Sequence, residues 1–116
     1  MAVYTILLEQ IDECYIDSNS YDVRTFHIMV EHMRICNELM RWIMTTEYVR
    51  TDKTNDLSRI ALKYKALLNN MVAAQNLYIK LSITSSERDK TNLQNVVYSI
   101  RDTEKILLTE LVHILK

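Results

Sequence analysis

Neither glycine nor proline occurs anywhere in the chain. Average usage would place roughly eight glycines and six prolines in a chain of this length, so losing both by chance is on the order of a one-in-a-million event. Without glycine there is no phosphate-cradling P-loop, no dinucleotide-binding fingerprint, no glycine-rich kinase loop and no nucleophile elbow. Tight hairpin turns that need a positive φ are disfavoured as well, which argues against β architectures. Cysteine is nearly absent: Cys14 and Cys36 are the only two, too few for the disulfide frameworks of small secreted domains, and are read as reduced thiols. No apolar run approaches the ~18 residues of a membrane span. The apolar start, Met1 to Leu8, lacks a basic flank and meets Glu9, Asp12 and Glu13 at once, so it fits neither a secretory nor a transit signal. A soluble protein of a reducing, cytoplasmic setting is the expectation, with no membrane partner.

What is present is the material of a packed core. Hydrophobic residues make up 48% of the 116, charged residues 25%, and the net charge is −1. Such a composition predicts one globular domain over residues 1–116. Three polar breaks divide it: Asp17 to Ser20, Thr51 to Asp56, and Thr84 to Glu87. The last reads as a capping box, with the Thr84 hydroxyl taking the amide of residue 87 and Glu87 reaching back. Helices are expected over 3–16, 21–50, 55–83 and 86–115.

The third segment has the cleanest period. Leu57, Ile60, Tyr64, Leu67, Met71, Ala74, Tyr78 and Leu81 alternate steps of three and four, the apolar seam of left-handed, coiled-coil-like packing. The second repeats it with Val23, Phe26, Val30, Met33, Asn37, Met40 and Met44. The fourth does so with Leu93, Val97, Ile100, Leu107, Leu111 and Ile114, interrupted by Glu104. The first offers Tyr4, Leu7, Leu8, Ile11 and either Cys14 or Tyr15. Short connections favour antiparallel neighbours, so the predicted fold is all-α: an antiparallel up-down bundle of one short and three long helices. The short helix leaves part of a seam without cover. No internal repeat is present, and two helix pairs are too few for a solenoid. Heavy use of Ile, Asn and Tyr with few Ala matches the coding of an AT-rich genome, many viral genomes among them.

Chemistry-bearing constellations are sparse. Glu110-Leu111-Val112-His113 is one Glu-x-x-His motif, but a di-iron bundle needs two, with further glutamates from other helices, and residues 57–83 contain none. His27 and Glu31, one turn apart, make a surface hydrogen bond or ion pair more readily than a metal site. His32 and His113 read as solvated or satisfied histidines. Cys36 lies one turn from His32, the pairing that activates a thiolate, yet mid-helix between Met33 and Met40 it reads as a near-core thiol. Arg34 and Arg41 with Glu38 read as ordinary helix-surface pairs. No enzymatic activity, metal or cofactor is expected.

Charge is segregated along the chain. Residues 1–23 carry five acids and no Lys or Arg, whereas residues 57–86 carry Arg59, Lys63, Lys65 and Lys80 with no acid. One reading is nucleic-acid contact through those four cations, with Tyr64 or Tyr78 for stacking. The preferred reading sets the acidic first helix against the basic third, within the bundle or across a dimer, because a pI near 6.3 is far from that of a phosphate binder.

The strongest surface signal lies on the second helix. Ile28, Ile35, Leu39 and Trp42 form an apolar stripe largely opposite the seam, where a helix buried on one side is normally polar. Either that helix is covered on both faces or the stripe meets a protein partner, with Trp42 as anchor beside Arg41. Residues 71–79 and 107–115 carry similar apolar excess. Asn37 among seam methionines either fixes register or turns outward to solvent. The functional expectation is a non-enzymatic protein–protein interaction module, self-associating or bound to a larger partner; a nucleic-acid-binding bundle is the alternative.

Overall fold

A computed structural model describes residues 2–13, 24–45, 54–84 and 86–115. All but Ser86 of these are helical: α1 (Ala2–Glu13), α2 (Arg24–Thr45), α3 (Thr54–Thr84) and α4 (Glu87–Leu115). The expected extensions of the first two helices over 14–16, 21–23 and 46–50, together with Cys14, Tyr15 and Val23, lie outside the described residues. The fold is the expected all-α antiparallel helical bundle.

The seams explain the packing. All eight positions of the α3 seam are buried, from Leu57 to Leu81. They meet Phe26, Val30, Met33 and Met40 of α2 and Leu93, Val97, Ile100 and Leu107 of α4 in one continuous core. Met29 of α2 joins them although it lies outside the α2 seam. The Phe26 and Tyr78 rings stack at 4.8 Å with a 34° tilt, within the range where aromatic pairs contribute beyond their area. Tyr4, Leu7 and Ile11 of α1 close the fourth side and are fully buried. The seam thins towards the C-terminal ends of α2 and α4, where Met44 is exposed and Leu111 and Ile114 are half-buried.

Asn37 resolves the choice between register and solvent. It is half-buried, and its Nδ2 donates to the Met33 carbonyl at 2.8 Å and, across the helix interface, to the Tyr64 carbonyl at 3.1 Å. The second bond pins α2 to α3 at one register.

The α3–α4 connection corrects the expected cap. Thr84 ends α3, and its hydroxyl donates to the Asp89 carboxylate at 3.2 Å instead of accepting an amide. Ser86 caps α4: its Oγ accepts the Asp89 amide at 3.4 Å and its carbonyl the Lys90 amide at 3.0 Å. The two-residue connection leaves Thr84 on the end of the preceding helix, so the hydroxyl two positions later is the one standing at the amino end of α4.

The position of α1 is a second correction. It packs chiefly on α4 and α2, which overturns the pairing with the basic α3 within the bundle and does not bear on one across a dimer. In an up-down bundle the first helix neighbours the second and fourth and lies diagonal to the third. Asp12 accordingly meets α4: its carbonyl accepts Lys90 Nζ at 3.1 Å and its carboxylate accepts Gln94 Nε2 at 2.6 Å. Two of the four α3 cations meet acids on α4 instead, Arg59 with Glu110 at 2.9 Å and Lys80 with Asp89 at 3.8 Å. The bundle is a rod of 53 × 20 × 18 Å. No helix among the described residues is long and apolar enough to cross a membrane.

Candidate functional site

Two features stand out against this frame, one inside the bundle and one on its surface. The inner one is Glu104. It occupies the seam position between Ile100 and Leu107 that interrupts the α4 pattern, and it is 2% exposed. A carboxylate in such a place needs donors, and two helices provide them. Tyr4 of α1 donates its hydroxyl to Oε2 at 2.7 Å. His32 of α2 donates through Nε2 to Oε1 at 3.0 Å. Three helices are thereby tied at one level by side chains that sit 72 and 100 positions from Glu104 in sequence.

The electrostatics follow from that placement. The Cys36 sulfur, 3.8 Å from His32 Nε2, and the Glu104 carboxylate together favour the protonated ring and push the His32 pKa up to about 10. Burial, then the bond to Glu104, drives the Tyr4 phenol far above its ordinary value, and burial does the same to Tyr64. The His32 side chain remains 44% exposed, so one member of the cluster touches solvent while the carboxylate does not.

Cysteine, histidine and glutamate in contact invite a comparison with nucleophilic triads. A triad base bridges its partners, one ring nitrogen towards the nucleophile and the other towards the carboxylate. Here Cys36 and Glu104 approach the same Nε2. The arrangement holds a charge in place and is not laid out to relay a proton. Among the described residues no three His, Cys, Asp or Glu side chains are grouped to hold a metal ion. Glu110 is engaged by Arg59. Glu31 accepts from Arg34 at 2.9 Å, which corrects both the expected pairing with His27 and that of Arg34 with Glu38; Arg41 does lie 3.4 Å from Glu38.

The outer feature is the α2 stripe. Ile28, Ile35, Leu39 and Trp42 are 61, 66, 49 and 62% exposed, and no helix among the described residues covers them. Arg41 beside Trp42 is exposed as well. Of the other two apolar-rich segments, residues 71–79 are half absorbed by the core: Met71, Ala74 and Tyr78 are buried, whereas Ile79 is exposed. In 107–115, Leu107 is buried, but Leu108, Val112 and Leu115 are exposed.

The four cations named for nucleic-acid contact do not share one face. Arg59 and Lys80 are paired with α4 acids. Lys63 lines a groove between α3 and α4 with Ile106 and Thr103, while Lys65 lines a groove between α2 and α3 with Asn37, Arg41 and Leu62. Tyr64 and Tyr78 are 1% and 0% exposed, so neither ring is offered to a base.

Sequence reasoning found the stripe but missed the role of Glu104. Its only local signal was a charged residue standing where the period calls for an apolar one. Compared with family models, curated proteins and solved structures, the chain matches none.

Proposed function

We propose that the protein is a non-enzymatic interaction module that binds a protein partner through the α2 stripe. The observation that carries this reading is the exposure of Ile28, Ile35, Leu39 and Trp42 along one helix face. Scattered apolar residues on a surface need no explanation, whereas a contiguous row marks a docking surface. Trp42 is the natural anchor, since large aromatic side chains and arginines dominate interface energetics and Arg41 stands next to it. Direct readout of nucleic acid is disfavoured by the dispersal of Lys63 and Lys65 and by the ion pairs of Arg59 and Lys80. The test compares the native chain with Trp42→Asp in light scattering and in affinity capture from the native source. Association that the substitution abolishes, while Ile83→Asp at the far end of α3, exposed and remote from the stripe, leaves it intact, supports the reading. A monomer that captures nothing, or a complex indifferent to Trp42→Asp, overturns it.

A further inference from the structure

Lys63 differs from the other cations of α3 that stand beside α4. Arg59 and Lys80 each hold an acid of that helix, whereas among the described residues no ion pair or hydrogen bond engages the Lys63 ammonium. Those two ion pairs also set the antiparallel register: Lys63 stands level with Ile106, Ala66 with Thr103, and Asn70 with Ser99. All six line one recess of about 290 Å³ between the helices, at the small end of pockets that hold organic ligands. Its floor is apolar, since Leu67, Ile100 and Leu107 are 2, 1 and 1% exposed. Ala66 keeps it open, because a longer side chain there would reach across to Thr103.

The polar groups of the recess are unspent. The hydroxyl of Thr109 on α4 donates back to the Lys105 carbonyl at 3.0 Å. Among the described residues the Thr103 and Ser99 hydroxyls and the Asn70 amide make no such bond. No acid lines the recess, and α3 has none from residue 57 to 83. The acids that flank these positions on α4 are engaged elsewhere: Asp102 by Arg101, Glu104 by Tyr4 and His32, and Glu110 by Arg59. An uncompensated cation beside a hydrocarbon floor selects an anion with an apolar body. From Lys63 to Asn70 the recess runs about 10 Å along the helices, and polar side chains close its far end, so the body is short.

We propose that this recess binds a small hydrocarbon monocarboxylate, with the carboxylate on Lys63 and Thr103 and the body along Leu67, Ile100 and Leu107. The site is separate from the α2 stripe and stands without it. Phenylbutyrate, an arylalkyl carboxylate of suitable length, is the probe, and phenylbutanol is its uncharged counterpart. Titrated into the ¹⁵N-labelled full chain, phenylbutyrate should bind with a Kd on the order of 1 mM and shift the amides around Ala66 and Thr103. Phenylbutanol should bind about fivefold more weakly. Lys63→Met, which keeps an unbranched stem without the charge, should erase that difference. Ala66→Leu, which fills the recess, should weaken both compounds about tenfold, with circular dichroism confirming that both variants fold. Lys65→Met, on the side of α3 that faces α2, should change neither. No saturation by about 10 mM, equal binding of acid and alcohol, or indifference to Lys63→Met or Ala66→Leu overturns the proposal. So do shifts centred on Ile35 and Trp42, which would place the compound on the stripe. Because no protein partner enters the titration, this site and the stripe can each fail alone.

Discussion

Tyr4, Glu104 and His32 make one side-chain network in which the cost of a change depends on what it leaves behind. Removing the phenol hydroxyl with Tyr4→Phe strips the buried carboxylate of one donor, and a hydrogen bond to a charged group contributes about 1.5–3 kcal/mol. Urea denaturation of this variant should show a loss in that range. The double variant Tyr4→Phe/Glu104→Leu removes donor and acceptor together and leaves only His32, which reaches solvent. Replacing a buried polar pair by apolar groups of similar size is commonly neutral or stabilising, so the double variant should be more stable than Tyr4→Phe alone. The pH dependence has a definite sign. Because the folded pKa of His32 lies above the unfolded value, its contribution is complete below about 6.5. It fades as the pH rises towards about 10, where the folded ring loses its proton. Urea midpoints measured at pH 6, 8 and 10 should therefore fall more steeply for the native chain than for His32→Gln; parallel profiles would contradict the assignment.

Among the helices, the α3 seam was fully legible because its eight apolar positions keep one period without interruption, and all are buried. The α4 cap was not, because Thr84 and Ser86 each have an acid three residues later and are locally equivalent. Only the path of the chain out of α3 chooses between them. Ser86→Ala should cost about 1 kcal/mol, the usual worth of an N-cap, while Thr84→Val, which loses only an exposed hydrogen bond, should stay within about 0.5 kcal/mol. Thermal denaturation followed by circular dichroism separates the two. Glu104 was visible as a break in the pattern, but its meaning required α1 and α2 to arrive at the same level, and no window of sequence contains all three. The stripe was legible as a period on α2; that α3 and α4 would leave it bare follows from the bundle geometry and not from the stripe itself. The misplacement of α1 has the same origin: net charge pointed to α3, while the up-down path makes α2 and α4 its neighbours.

At the level of the whole molecule, stability is distributed unevenly along the rod. Among the described residues, four helices surround the core where α1 is present, and three where it is not. Amide hydrogen exchange should be slowest around residues 60–78 of α3 and 93–104 of α4 and fastest among the helical amides of 108–115, since local opening follows the density of buried apolar contacts. Uniform protection along α4 would contradict this picture. The radius of gyration, 16.4 Å, exceeds the roughly 13 Å of a compact domain of this length. Such an elongated body drags more solvent than a ball of equal mass and tumbles faster about its long axis than end over end. A single copy will thus leave a gel-filtration column early, masquerading as something heavier than 13.7 kDa, and its ¹⁵N relaxation rates will vary with the tilt of each N–H bond from the rod.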